Sequence, residues 1–161
     1  MVKLPFLFLL MCGAVSLVIS APTVPELKLE APSAAQRINM AVAVGRSSEN
    51  KEIPVFVKVR LAPGYHVYAL EKTNSRNQAT EIEAKLPAGL RLDGPWRGPE
   101  PKKLSDGSRV YENEAVFTNV LKGTPKAEKV EITVSFQVCN ELACWPPEKL
   151  TREAVFGKGG K

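Results

Sequence analysis

Cys139 and Cys144 are the residues of this sequence best suited to chemistry, and four residues separate them. Such a pair can be a structural disulfide, a redox-active disulfide or part of a metal site. A structural bridge gains little here, because closing so short a loop removes only about 2 kcal/mol of chain entropy from the unfolded state. A metal site is disfavoured, since His66 is the single histidine and Met40 the single methionine beyond the first twenty-one residues. The pair therefore predicts redox exchange or a structural bridge, with no metal and no cofactor.

A strand that leads into Cys139 must position the pair. Between Lys129 and Val138 apolar residues alternate with polar ones, which is typical of a strand with one face in the core and one in water. Val138 belongs to the apolar set, so the alternation places Cys139 on the wet side with Gln137. We therefore expect both sulfur atoms at or near the surface, where an incoming thiolate can attack a small-loop disulfide. The geometry permits the bond, because residues flanking a four-residue hairpin loop have Cα atoms about 5.5 Å apart.

The same two-residue period recurs along the chain and predicts further strands. Between the periodic segments stand turn sequences such as Ala62-Pro63-Gly64 and Asp106-Gly107, which continue neither a strand nor a helix. No helix of normal length is predicted. About seven short strands with frequent turns indicate an all-β fold, an antiparallel β-sandwich. The strands are predicted at residues 38–44, 53–59, 65–70, 80–86, 109–119, 129–138 and 149–156.

The first residues of the chain predict export. One basic residue is followed by an apolar stretch from Leu4 to Ile19 and then by the small residues Ser20 and Ala21. Residues 1–21 are therefore predicted to be a signal peptide, cleaved near Ser20 or Ala21. The stretch is shorter than the roughly 20 residues of a membrane span, so the mature chain is expected to have none. A lipoprotein with its lipid on Cys12 is the alternative, disfavoured because bulky residues precede that cysteine.

The remainder of the chain has the size of one domain. Removing 21 of 161 residues leaves 140, enough to bury a hydrophobic core. We predict a flexible N-terminal arm at 22–35, the domain at 36–156 and a disordered tail at 157–161. The formal net charge of +5 falls to +4 without Lys3, and the basic residues never form a long block. Such a distribution is typical of a solvated surface, so no nucleic-acid partner is predicted.

The segment from Phe136 to Glu148, with the sequence FQVCNELACWPPE, resembles the active-site hairpin of the DsbD N-terminal domain family. In that family a short Cys-loop-Cys segment is followed by a pair of prolines, as Pro146 and Pro147 follow here. The likeness covers roughly residues 36 to 156. Three further segments match the family in order: Pro63 to Tyr68 with its Gly-aromatic-x-x-Tyr pattern, Leu86 to Gly89 with Trp96, and Val110 to Glu112 with Val116 and Phe117.

The resemblance implies an immunoglobulin-like antiparallel β-sandwich that exchanges thiols and disulfides in the periplasm. Such a domain takes electrons from a thioredoxin-like or membrane DsbD-type donor and passes them to periplasmic disulfide proteins, which makes it a protein-disulfide reductase. By the same resemblance, Cys144 forms the mixed disulfide with the partner and Cys139 resolves it. The membrane and thioredoxin-like domains of full-length DsbD have no counterpart in the sequence, so a free-standing domain with a separate donor is expected.

A function of another class stays open on the residues alone. The chain would then be a non-catalytic periplasmic β-sandwich that binds a peptide or protein through its loops. In such a binding module the disulfide only braces the hairpin. Its reduction potential would separate the two functions, because structural disulfides are harder to reduce than exchanging ones.

Four other residues are candidates for the site, two of them, Tyr65 and Tyr68, through the resemblance. Tyr65 and Tyr68 lie on the strand that in the family runs beside the cysteines, where their rings would shield the sulfur atoms. Ordinary strand packing is the alternative for both. His66 either tunes a thiolate near neutral pH or is an ordinary polar strand residue. Trp145 is expected to pack under the cysteine loop, whereas Trp96 is expected in the core.

Overall fold

The computed structural model describes Leu27 and residues 29–33, 35–71 and 77–156. The predicted signal peptide, half of the predicted arm and the predicted tail lie outside the described residues. Within the described ranges, no helix is long and apolar enough to cross a membrane. The structure therefore bears on the predicted domain and on a few residues that precede it.

Eleven strands account for the regular structure of the described residues. Every ladder between them is antiparallel, and the strands form three sheets that enclose a common core. The chain is an immunoglobulin-like antiparallel β-sandwich, as the sequence predicts. The strands are β1 (Ile38–Val44), β2 (Glu52–Leu61), β3 (His66–Tyr68), β4 (Glu81–Lys85), β5 (Leu90–Leu92), β6 (Lys102–Lys103), β7 (Arg109–Glu112), β8 (Glu114–Gly123), β9 (Lys129–Phe136), β10 (Val138–Cys139) and β11 (Glu148–Val155).

The sheets have the strand orders β1-β2-β8-β5, β10-β3-β7-β6 and β11-β9-β4. In β2 and β9 apolar residues stand at every second position and point inward, because successive side chains of a strand point to opposite faces. Val57 of β2 and Ile132 of β9 are fully buried in this way. The β10-β3-β7-β6 sheet, called the cysteine sheet below, also turns one face to the core. Val67, Tyr111 and Val138 carry that contact.

The structure divides two of the predicted strands. The segment 109–119 bends at Asn113, whose positive φ of 57° separates β7 from β8. Asparagine adopts this left-handed conformation more readily than most residues. The segment 129–138 is interrupted at Gln137, where the chain leaves β4 and β11 and pairs with β3 instead. The strands β5 and β6 are not predicted, because three and two residues are too few to show a period.

The main core is built without the cysteines. Its largest fully buried side chains are those of Phe117, Phe136, Leu121 and Ile132. Cys139 belongs to a separate small cluster on the opposite face of the cysteine sheet. Most of the buried apolar surface that stabilises the sandwich is therefore independent of the disulfide.

Reducing the disulfide is consequently expected to leave the sandwich folded. The free energy of unfolding should fall by about 2 kcal/mol, the chain entropy released when so short a loop is opened. Urea unfolding with and without a reductant measures the difference. A variant with both Cys139→Ala and Cys144→Ala is the control, because reductant should not change its stability. Loss of the cooperative transition on reduction would contradict the expectation and favour a structural bridge.

Candidate functional site

Cys139 and Cys144 are joined by a disulfide, with their Cα atoms 4.0 Å apart. Backbone hydrogen bonds close the rungs on either side of the pair, so the cysteines occupy the non-hydrogen-bonded rung between them. Opposed residues on such a rung lie closer than those on a hydrogen-bonded rung. The predicted separation of about 5.5 Å applies to the hydrogen-bonded kind and is wrong for this reason. The flanking bonds run from Trp145 N to Val138 O and from Asn140 N to Ala143 O, each 2.9 Å long.

The loop between the cysteines is fixed by one side chain. The Asn140 Oδ1 atom accepts hydrogen bonds from Leu142 N at 2.9 Å and from Ala143 N at 2.8 Å. Asparagine favours turns because it replaces a backbone acceptor in this way. Glu141 and Leu142 form the tip, and Leu142 is 93% exposed. A large apolar side chain therefore projects into solvent two residues before Cys144.

The two sulfur-bearing residues differ sharply in exposure. Cys144 is exposed, whereas Cys139 is only 1% exposed. The prediction that both lie at the surface is therefore wrong for Cys139. Val138 and Cys139 do point to opposite faces of the cysteine sheet, but both faces are covered. The cover over Cys139 consists of Tyr68, Val110 and Leu104, the last from the segment that joins β6 to β7.

The disulfide lies on the face of the cysteine sheet that points away from the main core, called the outer face here. Cys139 pairs with His66 across β10 and β3, and His66 pairs with Glu112 across β3 and β7. Directly opposed residues project to the same face, so these three side chains form a row. Burial lowers the pKa of His66, and the carboxylates of Glu112 and Asp106 oppose part of that effect.

Tyr68 lies beside the exposed sulfur. Its hydroxyl oxygen is 3.9 Å from Cys144 Sγ and accepts a hydrogen bond of 2.6 Å from Asn77 Nδ2. A disulfide sulfur carries no hydrogen, so the tyrosine is the donor in the contact with Cys144. Burial raises the pKa of Tyr68, and the carboxylate of Asp106 raises it further. The hydroxyl therefore keeps its proton and points it at the sulfur.

Trp145 anchors the chain where it leaves the hairpin. Its ring packs against that of Tyr65 with centroids 5.4 Å apart, and the guanidinium of Arg37 lies 4.1 Å above it. Gln137 adds two hydrogen bonds of 3.1 Å, donating from Nε2 to Trp145 O and accepting at Oε1 from Gln78 N. The prolines that follow have no backbone N–H to donate. The position of Cys144 thus depends on these side chains.

A cleft of about 540 Å³ opens beside the disulfide. The cysteine hairpin forms one wall, and the turn after β6 forms the other with Leu104 and Asp106. The carboxylate of Asp106 accepts hydrogen bonds from Ser108 N and Oγ, which hold its pKa below the ordinary value. Lys102 Nζ lies 2.9 Å from both oxygens of Glu112. Among the described residues, no cluster of three or more His, Cys, Asp and Glu side chains is arranged to hold a metal.

The residues singled out in the sequence lie close together. Tyr65, His66 and Tyr68 line the cleft with both cysteines, and the ring of Trp145 packs against Tyr65. Trp96 packs against the main core instead. Sequence reasoning misses several residues that complete the site, because only tertiary contacts bring them there. The missed residues are Arg37, Asn77, Leu104, Asp106, Glu112 and Gln137.

Comparisons with known proteins bear on the family and the fold of the chain. The family described as "Thiol:disulfide interchange protein DsbD, N-terminal" matches residues 30–155. The N-terminal periplasmic domain of ScsB from Proteus mirabilis is similar in structure, with a TM-score of 0.53 and 19% identity over 71% of this chain. The chain spans 45% of the length of that domain. At this identity the likeness shows a shared fold and no more. No curated protein matches the chain.

Two structures from Neisseria meningitidis are also similar. The reduced DsbD N-terminal domain has a TM-score of 0.41 and 20% identity, covering 72% of this chain and 83% of its own. The complex between the DsbD N-terminal and PilB N-terminal domains has a TM-score of 0.43 and 20% identity, covering 73% and 84%.

The contact between Tyr68 and Cys144 predicts an effect on the reduced protein. A hydroxyl that donates to a thiolate stabilises it, so Tyr68→Phe should lower the thiolate fraction of Cys144 at neutral pH. Alkylation by iodoacetamide in a Cys139→Ala background should slow about threefold to tenfold. Tyr111→Phe is the matched control, because Tyr111 faces the main core from the same sheet. Equal slowing by both substitutions, or none by Tyr68→Phe, would refute the assigned contact.

Proposed function

The chain belongs to the DsbD N-terminal domain family, and we propose on that premise that it relays electrons in the periplasm from a thioredoxin-like donor to exported disulfide proteins. The observation that carries the proposal is the unequal exposure of the two cysteines. Cys144 is open to a partner, whereas Cys139 is almost fully covered by neighbouring side chains. An exchange pair needs this division, since one sulfur must meet the partner and the other must release it.

Electrons enter when a donor thiolate attacks Cys144 Sγ. The bond between Cys144 and Cys139 breaks, Cys139 leaves as a thiolate, and a mixed disulfide joins the donor to Cys144. The second thiol of the donor then attacks the donor sulfur of that bond. Cys144 is released as a thiolate, the donor becomes a disulfide, and the chain has gained two electrons.

Electrons leave by the same sulfur. The Cys144 thiolate attacks the disulfide of an exported protein and forms a second mixed disulfide. Cys139 then attacks Cys144 Sγ, which restores the disulfide of the chain and releases the acceptor with two thiols. The hydroxyl of Tyr68 lies 3.9 Å from Cys144 Sγ. It suits the attack on the acceptor because it stabilises the Cys144 thiolate that attacks.

The surroundings of the pair support exchange more than bracing. The hairpin is already held by its backbone hydrogen bonds and by the Asn140 side chain. A bridge added there gives about 2 kcal/mol at most. The exposed Leu142 at the tip stands two residues before Cys144, where a partner that approaches that sulfur would meet it. A binding module with a bracing disulfide would leave the exposure of Cys144 unused.

Single-cysteine variants test which sulfur engages the partner. Each variant is mixed with a thioredoxin-like protein that lacks its own resolving cysteine and whose remaining cysteine carries thionitrobenzoate as the leaving group. Cys139→Ala should displace it and form a mixed disulfide, and Cys144→Ala should form at least tenfold less, roughly the effect of burying the remaining thiol. The trapped product is measured by non-reducing electrophoresis and mass spectrometry. Preference for Cys139 would overturn the assignment of Cys144. Absence of any trapped product with either variant would overturn the exchange function.

A further inference from the structure

We infer that His66 accepts the proton of the Cys139 thiol in the step that closes the disulfide and releases the partner. The inference rests on the proposed function and deepens it. The inference gives a chemical role to His66, the single histidine of the chain. The exchange steps described above do not use this residue.

Strand register places the imidazole next to the resolving thiol. His66 stands directly opposite Cys139 in the ladder between β3 and β10. The Cβ atoms of opposed residues in an antiparallel pair are about 4.5–5.5 Å apart, a gap that an imidazole ring spans. Both residues line the same cleft. The strand β10 has only two residues. Its pairing with β3 is nevertheless held, because Val138 is buried in the main core and the backbone hydrogen bonds of the cysteine hairpin continue from Cys139.

Cys139 needs such a neighbour because it is buried. Only 1% of its surface is exposed, and Tyr68, Val110 and Leu104 cover it. Apolar surroundings disfavour the charged form of a thiol, and the thiolate is the form that attacks. Bulk water has little access to remove the proton. An imidazole that opens onto the cleft can take the proton and pass it to solvent.

Burial, more than the surrounding charges, keeps the pKa of His66 below its ordinary value and so favours the neutral imidazole at pH 7. Burial lowers its pKa, Glu112 and Asp106 raise it in part, and Lys102 lowers it. The Lys102 ammonium also lies 2.9 Å from both Glu112 oxygens, which spreads the charge of that carboxylate. A neutral imidazole is the form that accepts a proton. The titratable and charged groups that line the cleft with it are Cys139 on β10, Tyr68 on β3, Tyr65 just before β3, Glu112 on β7, Lys102 on β6, Asp106 in the β6–β7 turn, and Glu141 and Cys144 in the hairpin.

The step balances in atoms and electrons. The S–H proton of Cys139 moves to His66, and the resulting thiolate attacks Cys144 Sγ in the mixed disulfide. The Cys139–Cys144 bond forms as the bond from Cys144 to the partner breaks. The electron pair leaves on the partner's sulfur, and the imidazolium proton goes to that thiolate or to water in the cleft. The partner's disulfide is the oxidant throughout.

Dithionitrobenzoate, a chromogenic aromatic disulfide, separates the two halves of the reaction. The reduced protein should release one thionitrobenzoate in a second-order phase, as Cys144 attacks the reagent, and another in a first-order phase, as Cys139 displaces it. Stopped-flow absorbance follows both phases. Cys139→Ala should release only the first equivalent, which identifies the two phases.

The pH profile of the second phase tests His66. In the wild-type protein its rate should rise with pH and level off above the pKa of His66, which lies below the ordinary 6.5. In His66→Gln the rate should instead climb about tenfold per pH unit through the neutral range, because only the small thiolate fraction of Cys139 can then attack. At pH 7 the substitution should slow this phase at least about tenfold. A cooperative urea unfolding curve shows that the variant is folded.

A nuclear magnetic resonance titration of the reduced wild-type protein gives a check without any variant. The chain has one histidine, so its imidazole signal is unambiguous, and its pKa should coincide with the inflection of the second phase. A mismatch, or a His66→Gln profile equal to wild type, overturns the role of His66 and leaves the proposed function standing. Release of a single equivalent by the wild-type protein overturns the proposed function itself.

Discussion

The two-residue pairing of β10 with β3 is the constraint on which the site depends. After Gln137 the chain leaves the β11-β9-β4 sheet, and the pairing decides what each of the next residues meets. Val138, opposite Val67, enters the main core, and Cys139, opposite His66, enters the outer face. A slip by one residue would exchange those faces, because side chains alternate along a strand. Cys139 would then lie in the core and lose its histidine neighbour.

The burial of Cys139 and the exposure of Cys144 follow from where the two strands of the hairpin end. Cys139 still belongs to a sheet and is covered by side chains from β3, β7 and the β6–β7 segment. Cys144 has passed the turn, and the two prolines that follow Trp145 have no N–H to donate to a ladder. One disulfide thus joins a protected sulfur to an open one. The chemistry of exchange uses that difference, since a thiolate attacks the sulfur that it can reach.

The all-β class, most strands and the cysteine hairpin could be predicted from the sequence, because they depend on local patterns. In β9, for example, alternation of valine, isoleucine and phenylalanine with polar residues matches the buried and open faces. The interruption at Gln137 could not be predicted, since the alternation runs through it from Phe136 to Val138 without a break. The side chains that cover Cys139 could not be predicted from the sequence either. Leu104 follows two lysines in a segment with no period, and only tertiary structure brings it to the cysteine.

The reduction potential of the Cys139–Cys144 pair tests the central claim most directly, because it separates an exchanging disulfide from a bracing one. Equilibration of the purified protein against a dithiol of known potential, with the reduced fraction read by alkylation and mass spectrometry, gives the value. A potential between about −270 and −120 mV, the range of known exchange proteins, is the result expected here. A value below about −300 mV, where structural disulfides lie, would contradict the account.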